Sequence, residues 1–297
     1  MEIGFIGTGT MGKPMTLNLV KAGYVVSIFD ADKEKIKKLA TMGATPCENP
    51  KNVINKSEVV LLSLPNPKIV EDVVMGKEGI CSADIKGKTI IDLSTVTPQS
   101  AIKMFSIVKE RGASWLEVPV SGGETNAKSG KLTMIVGGDK EVFEKNLPIL
   151  KVLGEQISFI GEVGSASTIK LLNQLLFGIN LVGITEAFAL AKKMGVDFDK
   201  LYEVISNGSG GSYALDTRYN NFIKKDKYDP GFSVNLLLKD LNLIKETAES
   251  CNIPLQMGNF ACDSYQMCKN SGYGDKDVIA LLLAANKIAN KSNNSYK

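Results

Sequence analysis

The stretch "EIGFIGTGTMGKPMTLNLVKAGYVVSIFD", residues 2–30, decides the fold. It opens with the continuous apolar run EIGFIG, passes through a glycine-rich turn into a segment of helical spacing, and ends in a second β-branched run, VVSIFD. Continuous apolar runs are typical of strands that are buried on both faces. A strand, a helix and a second strand in this order predict a right-handed βαβ unit with parallel strands.

The same alternation continues through the first half of the chain. Asp32 and Thr97–Pro98 are start signals for two of the helices. Strands are predicted at 2–7, 25–30, 58–64, 89–94, 114–120, 132–138 and 156–161, with a glycine-rich loop after 120, and helices at 10–22, 32–41, 67–76 and 98–111. The pattern predicts a doubly wound α/β sheet of the Rossmann type.

After Gly164 the pattern becomes purely helical. Residues 165–195 contain no proline and end at a glycine, which predicts one helix of about 30 residues, ~45 Å long at 1.5 Å per residue. Further helices are predicted at 199–206, 213–224, 233–250, 255–270 and 276–290. We therefore expect two domains, 1–163 and 164–297. The long helix and its many apolar faces favour a homodimer or homotetramer assembled through the second domain.

Composition excludes several classes of protein. The chain has no histidine, so acid–base chemistry must come from other side chains and a histidine-based metal site is excluded. A net charge of +3 and only two arginines, Arg111 and Arg218, argue against a nucleic-acid partner. Arg218 would indicate a dicarboxylic substrate if it faced a pocket, but a surface position is favoured. With no signal-peptide pattern and no run of 18 apolar residues, we expect a cytoplasmic protein without a membrane partner.

The glycine-rich turn places Gly7, Gly9 and Gly12 in GxGxxG register between a strand and a helix, with Thr10 and Met11 between the last two glycines. Such glycines permit a tight turn, close approach of the backbone to a pyrophosphate, and close packing of the helix, whose N-terminus favours phosphate charge. In this context the motif predicts dinucleotide binding.

The end of the next strand selects the dinucleotide. Asp30 follows Gly12 by 18 residues, where an acid that binds the ribose belongs. Its carboxylate can accept the ribose hydroxyls of NAD and would repel the 2′-phosphate of NADP. Because Ala31 follows and no arginine is present to hold that phosphate, NAD is favoured over NADP, although Lys33 leaves NADP open.

The segment "KLLNQ", 170–174, interrupts an otherwise apolar helix with polar residues. Lys170, Asn173 and Gln174 lie at positions i, i+3 and i+4, which share one helical face. The neighbouring leucines, as apolar walls, would lower the pKa of the Lys170 ammonium toward neutral pH, making it a plausible proton donor. The alternative is a lysine whose head group reaches solvent.

Three loops follow strands at the edge where doubly wound sheets bind ligands. Ser121, Gly122 and Gly123 offer a hydroxyl and two backbone N–H groups for a substrate carboxylate, although a plain hairpin turn explains the glycines equally well. The loops SLPNP, 63–67, and DLSTVTP, 92–98, would flank the nicotinamide half of the cofactor. Their prolines alone are better explained as helix-start punctuation.

Four segments together resemble the β-hydroxyacid dehydrogenases. They are GFIGTGTMGKPMTLNLVKAG, EVPVSGG with GKLTMIVGG, GEVGSASTIKLLNQ, and GFSVNLLLKDL, which occur in the family's order across residues 2–290. The resemblance implies an NAD(P)-dependent oxidoreductase that interconverts a small 3-hydroxy acid and its semialdehyde. It implies either 2-hydroxy-3-oxopropionate reductase or 3-hydroxyisobutyrate dehydrogenase specificity. The alternatives are the 2-(hydroxymethyl)glutarate and the 4-hydroxybutyrate types.

The resemblance also implies roles for individual residues. Lys170 would be the catalytic acid and base, Asn173 would orient the substrate, and Ser121 with the two glycines would hold it. Cofactor contacts are implied for Leu64, Pro65, Thr95 and Lys239. The chain departs from the family in carrying Gln174 where many members have a second asparagine, and Glu117 where aspartate is common. Gln174 is retained as a candidate substrate ligand, and which amide makes the contact is left open.

Two other interpretations remain, a non-catalytic protein and a hydride-transfer enzyme of another type. A non-catalytic dinucleotide-binding protein would keep the fold, but such relatives tend to lose the lysine that stands here as Lys170. An imine reductase usually replaces that lysine as well, and a decarboxylating sugar-phosphate dehydrogenase would need more arginines than this chain has. The presence of Lys170 therefore favours the hydroxy-acid reaction over the rivals.

Overall fold

The structure, a computed structural model, describes the backbone of residues 1–294 and the side chains of residues 1–287. The chain divides into two compact units, Met1–Lys170 and Leu171–Lys297. The first unit is α/β and the second is helical, which confirms the predicted fold class. The domain boundary at 163/164 stays a prediction.

The first unit is built on one nine-stranded sheet. Its strands are β1 Glu2–Ile6, β2 Val25–Phe29, β3 Thr45–Pro46, β4 Val59–Leu62, β5 Thr89–Asp92, β6 Ser114–Glu117, β7 Val120–Ser121, β8 Leu132–Gly138 and β9 Gly154–Gly161. The order is β3-β2-β1-β4-β5-β6-β8-β7, with β9 paired to β8. Strands β1 to β6 are parallel, whereas β8 runs antiparallel to β6 and β7. The sheet is therefore mixed: β1 to β6 form the parallel part that the βαβ pattern predicted, and β9 pairs parallel with β8.

Helices cover both faces of this sheet. They are α1 Gly12–Lys21, α2 Lys33–Ala40, α3 Pro50–Lys56, α4 Pro67–Met75, α5 Pro98–Glu110, α6 Gly123–Ser129 and α7 Lys140–Leu153. Successive strand residues enter different apolar clusters: Phe5 and Leu61 belong to one, Ile6 and Leu62 to the other. This alternation is the reason why the strands read as continuous apolar runs.

Side chains cap five of the seven helices just described, the exceptions being α1 and α6. Asp32 accepts a hydrogen bond from the Glu34 amide and Thr97 one from the Ser100 amide, as the start signals predicted. Three helices, α3, α6 and α7, were not predicted. Two of them carry side-chain caps of the same kind, from Asn49 and Asp139, so their start signals were present in the sequence.

Within residues 1–294, most of the longest helix and five further α-helices belong to the second unit. The helix α8, Ser165–Lys193, begins in the first unit and continues into the second; the others are α9 Phe198–Ser206, α10 Tyr213–Arg218, α11 Val234–Ser250, α12 Gln256–Cys268 and α13 Leu281–Asn294. Short helical turns of different geometry at 219–223 and 269–273 follow α10 and α12, and one at 278–280 precedes α13, at the ends of three segments that were predicted as single helices. One apolar cluster, with Phe188, Tyr219 and Tyr265 fully buried, forms the core of this unit.

Arg218 does not lie at the surface as expected. Its guanidinium lies 5.3 Å from the ring of Phe177 and 5.1 Å from that of Phe222, and its Nε is 3.2 Å from Oδ1 of the buried Asp277. Asp277 also accepts hydrogen bonds from the amides of Gly231 and Phe232. The arginine is drawn inward because a buried carboxylate needs a paired charge and a guanidinium stacks well on aromatic rings.

Within residues 1–294, α8 alone is long and apolar enough to span a membrane, with a mean hydropathy of 1.5. Buried helices of water-soluble proteins meet the same criterion, and 39% of its most apolar window is covered by the rest of the protein. The finding is weak evidence for a membrane span, and the expected absence of a membrane partner stays a prediction.

Candidate active site

The glycine-rich turn between β1 and α1 has the form that a pyrophosphate requires. Gly7 has a φ of +91°, and a Cβ there would lie 2.3 Å from the Ser63 carbonyl oxygen. A Cβ on Gly12 would lie 1.9 Å from the Gly7 carbonyl oxygen, so neither position accepts a side chain. At Gly9, by contrast, a Cβ would meet nothing within 4 Å. The backbone at Gly9 therefore faces open space beside the start of α1, which fits a bound dinucleotide.

Asp30 lies next to this turn at the end of β2. Its Oδ2 accepts hydrogen bonds from the Thr8 amide at 2.7 Å and the Thr8 hydroxyl at 3.1 Å, and its Oδ1 accepts one from the Asp32 amide at 2.9 Å. These bonds fix the half-buried carboxylate while leaving lone pairs for the ribose hydroxyls. Thr8, which the sequence did not single out, joins the glycine turn to Asp30, whose contact with the ribose stays a prediction.

The loops after β4 and β5 are joined by a hydrogen bond. The Leu64 amide donates to the Ser94 hydroxyl at 2.9 Å, and the Ser94 amide donates to Oδ1 of the buried Asp92, also at 2.9 Å. The bond therefore fixes the two loops that carry Leu64, Pro65 and Thr95. Sequence reasoning missed Ser94 because its role depends on a partner 30 residues away. Pro67 and Pro98 begin α4 and α5, which confirms their reading as helix-start punctuation.

Ser121, Gly122 and Gly123 join β7 directly to α6. Ser121 pairs with Thr133 across β7 and β8, and α6 begins at Gly123. No side chain caps this helix, and a Cβ at Gly122 would lie 2.6 Å from Nδ2 of Asn126. The predicted glycine-rich loop is thus partly a short helix, since the glycines allow the chain to turn tightly over Asn126.

Lys170 is buried, with 6% of its surface exposed, although it carries an ammonium group. Burial of that kind was predicted, whereas its effect on the acidity of Lys170 stays a prediction. The expected walls of leucine are only partly present. Leu171 is buried, but Leu172 and Leu176 are 52% and 63% exposed, because they lie four residues apart on a face of α8 that this chain leaves uncovered.

In the second unit, the two amides after the lysine belong to a polar network between α8 and α11. The Asn173 Nδ2 donates to the Gln174 Oε1 at 3.2 Å, and the Gln174 Nε2 donates to Oδ2 of the buried Asp240 at 2.7 Å. The other oxygen of Asp240 lies 2.9 Å from the Lys239 ammonium. Gln174 is 5% exposed, whereas Asn173 lies at the surface of the chain. The cofactor contact predicted for Lys239 stays a prediction.

Glu117 is the site residue that sequence reasoning left without a role. It ends β6, is 1% exposed, and receives hydrogen bonds from the amides of Gly164 at 2.6 Å and Ala166 at 2.9 Å. Ser167 donates to it through both its amide and its hydroxyl. Burial raises the pKa of the Glu117 carboxyl, and these hydrogen bonds oppose the rise.

Family models of dehydrogenase domains match both halves of the chain. Residues 2–161 match the family described as the NAD binding domain of 6-phosphogluconate dehydrogenase. Residues 164–285 match the family described as NAD-binding of NADP-dependent 3-hydroxyisobutyrate dehydrogenase. Each of the two units thus has its own family match.

Individual relatives cover almost the whole chain. The 2-(hydroxymethyl)glutarate dehydrogenase of Eubacterium barkeri is 38% identical over 95% of this chain and 94% of the relative. The 2-hydroxy-3-oxopropionate reductase of Escherichia coli K12 is 33% identical over 98% of this chain and 99% of the relative. A solved structure, Mycobacterium tuberculosis 3-hydroxyisobutyrate dehydrogenase with L-serine, superposes with a TM-score of 0.87. That structure is 28% identical and the match covers 95% of this chain and 98% of that one.

Proposed function

The chain belongs to the β-hydroxyacid dehydrogenase family, and from this premise we propose that Lys170 is the acid and base of its reaction. The protein is an NAD-dependent oxidoreductase that interconverts a hydroxy acid and its semialdehyde. The observation that carries the role of Lys170 is a buried lysine side chain in a protein without histidine. A buried lysine is a common proton donor because burial disfavours its charged form.

The cofactor supplies or accepts the hydride, and the protein's part is to hold it in place. Gly7, Gly9 and Gly12, with Thr10 and Met11, would surround the pyrophosphate; the open space at Gly9 supports this assignment. Asp30 would bind the ribose hydroxyls. The joined loops that carry Leu64, Pro65 and Thr95 would lie on the nicotinamide side, and Lys239 is proposed as a further contact.

For the substrate, Ser121 and the amides of Gly122 and Gly123 would bind the carboxylate. Asn173 is the better candidate for a contact near the reacting oxygen, since it is exposed. Gln174 is buried and donates to Asp240, so its amide serves better to hold Asn173 in place. In reduction, the carbonyl carbon gains a hydride and the carbonyl oxygen takes a proton from the Lys170 ammonium, which leaves a neutral amine. In oxidation, Lys170 takes the hydroxyl proton back.

The substrate is a small hydroxy acid, and we propose a 3-hydroxy acid of the 2-hydroxy-3-oxopropionate reductase or 3-hydroxyisobutyrate dehydrogenase type. The 2-(hydroxymethyl)glutarate and 4-hydroxybutyrate types are the alternatives, the former because of the 38% identity to such an enzyme. Arg218 gives no support for a second carboxylate on the substrate, since Asp277 and two aromatic rings already occupy its guanidinium.

We further propose a cytoplasmic homodimer or homotetramer that assembles through the helical unit. Leu176, Leu190, Met257 and Phe260 are large apolar side chains that lie exposed on α8 and α12. An open groove of about 790 Å³ lies on the same unit; apolar residues of these helices line most of it, and serines and glycines of the 209–212 loop line part of the rest. Apolar surface of this extent is typical of a protein interface, and a second copy of the chain would cover it.

Turnover separates the enzyme from a non-catalytic dinucleotide-binding protein. The purified protein is mixed with NADH and each of four aldehydes: tartronate, methylmalonate and succinate semialdehyde, and 2-formylglutarate. Loss of absorbance at 340 nm is followed, and the panel is repeated with NADPH. Lys170→Met is expected to lower kcat about 10²- to 10⁴-fold, the usual range for losing a general acid. Lys192→Met, an exposed lysine on the same helix, is the matched control. Turnover of Lys170→Met near that of the control would contradict the proposal.

A further inference from the structure

The first turn of α8 is capped by a carboxylate that comes from the sheet and not from the helix's own sequence. The first bond within the helix runs from the Thr168 amide to the Gly164 carbonyl, so Gly164 occupies the N-cap position. The amides of Gly164, Ala166 and Ser167 all donate to Glu117, and the Ser165 amide donates to the Glu162 carbonyl. One buried side chain thus satisfies three of the amides that a helix start leaves without partners.

Backbone amides can only donate, so this arrangement fits an ionised Glu117. A carboxylate offers about four lone-pair sites, enough for the three amides and the Ser167 hydroxyl. The helix N-terminus also carries partial positive charge, which stabilises an anion at that position. The carboxylate of Glu117 is therefore directed at α8, where its two oxygens accept four hydrogen bonds.

The packing around Glu117 leaves the carboxylate little room to move. Gly137 pairs with it across β6 and β8, and a Cβ at Gly137 would lie 2.5 Å from Oε1 of Glu117. Asp92 is its partner across β5 and β6 and is buried as well. A glycine on one side and a neighbouring strand on the other confine the carboxylate to the position from which it caps α8.

Two functional segments begin close to this contact. Lys170 lies four residues after Ala166 in α8, one turn along the same face, about 6 Å further at 1.5 Å per residue. Ser121 lies four residues after Glu117 along the chain. The cap therefore ties the strand leading to the proposed carboxylate-binding segment to the helix that carries the proposed proton donor, and all of it lies within Met1–Lys170.

We propose that Glu117 is a positioning residue for Lys170: by capping the first turn of α8 it fixes the rotation and height of the helix, and with them the location of the Lys170 amine relative to Ser121. The proposal rests on the proposed role of Lys170. Misplacing a reacting group by about 1 Å can lower a rate about 10²-fold, so loosening this cap is expected to lower kcat.

The test is a double-mutant cycle in the full-length protein. Glu117→Gln keeps the shape but presents an NH₂ group to donors that need an acceptor. It is expected to lower kcat at least tenfold in the Lys170-containing enzyme, with the Kd of NADH changed less than twofold. In the Lys170→Met background, Glu117→Gln is expected to lower the residual kcat less than twofold, because there is no amine left to position.

Two further variants keep the result interpretable. Ser167→Ala retains the carboxylate and removes only one of its four donors, so it tests the idea if Glu117→Gln does not fold; we expect a fall in kcat of about threefold. Asp139→Asn likewise replaces a capping carboxylate by an amide, at the start of α7, which carries no proposed site residue, and is expected to leave kcat within twofold of wild type. A fall in kcat with Asp139→Asn equal to that with Glu117→Gln would indicate a general loss of structure and overturn the proposal.

The outcomes also separate this inference from the proposed function. Wild-type turnover in Glu117→Gln, together with an inactive Lys170→Met, would overturn the positioning role alone. An equal loss of kcat from Glu117→Gln in both backgrounds would do the same, since Glu117 would then act independently of the amine. Wild-type turnover in Lys170→Met would overturn the function of the lysine and this inference with it.

Discussion

Replacing Gly9 by alanine should separate cofactor binding from stability. The new Cβ would meet nothing within 4 Å in the fold, and Gly9 is not among the glycines with positive φ. Without cofactor, the free energy of unfolding should therefore stay the same or rise by up to about 1 kcal/mol, because alanine lowers the entropy of the unfolded chain. The methyl group would, however, occupy the space through which the backbone approaches the pyrophosphate. Losing one hydrogen bond to a charged group costs about 1.5–3 kcal/mol, which corresponds to NADH binding about 12- to 140-fold weaker.

Gly12→Ala is the contrasting variant. Its Cβ would lie 1.9 Å from the Gly7 carbonyl oxygen, so the turn or α1 must move, and overpacking of this kind destabilises by about 1–3 kcal/mol or more. Calorimetric titration with NADH gives the Kd, and thermal unfolding without cofactor gives the stability. Our reasoning would be refuted if Gly9→Ala bound NADH as tightly as wild type, or if it lowered the Tm as much as Gly12→Ala.

Three other predictions concern cofactor choice, stability and assembly. Asp30→Asn removes the charge that repels a 2′-phosphate, so the ratio of kcat/KM for NADPH to that for NADH should rise at least tenfold, and an unchanged ratio would contradict the assignment. Arg218→Met leaves the buried Asp277 unpaired and should lower the free energy of unfolding by about 3–5 kcal/mol in urea titrations at pH 7. Burial raises the pKa of Asp277, and Arg218 opposes this rise. In the Arg218→Met variant, the pKa of Asp277 in the folded protein should therefore rise further above its value in the unfolded chain. Its stability should then fall as pH rises from about 4 through that pKa, by up to about 1.4 kcal/mol per pH unit, and a pH-independent difference from wild type would argue against the pair. Phe260→Glu, at a side chain that is 68% exposed in the helical unit, should lower the mass by light scattering to that of a smaller assembly, whereas Met75→Glu in the first unit should not; a wild-type monomer would disprove the assembly.

The spacing of residues along the sequence was sufficient to predict most of the architecture. The βαβ order, the positions of Gly7 and Gly12, and the length of α8 all follow from spacing and steric rules that act within a few residues. For the same reason, Asp32 and Thr97 could be assigned as helix caps from sequence alone. The two unpredicted helices with side-chain caps, α3 and α7, show that such signals were also present where we did not use them.

Contacts between distant residues could not be assigned in this way. Glu117 meets the start of α8 across 47 or more positions, and Gln174 meets Asp240 across 66. Both residues were singled out in the sequence, Glu117 as a departure from a family pattern and Gln174 also for its place on the helical face of Lys170. Neither partner was predicted, because a single chain does not specify which distant group a buried polar atom will find. For the same reason, the prediction that Arg218 lies at the surface was wrong.

The sequence by itself determined the α/β and helical halves and the glycine turn for the dinucleotide, and it predicts a lysine as the acid. Those features depend on backbone geometry and residue chemistry, which are local. Only the tertiary structure decided that Lys170 is buried, that Leu172 and Leu176 are exposed, and that a carboxylate from β6 caps the helix that carries the lysine. Burial and pairing of charges depend on which elements pack together, and that packing exists only once the chain has folded.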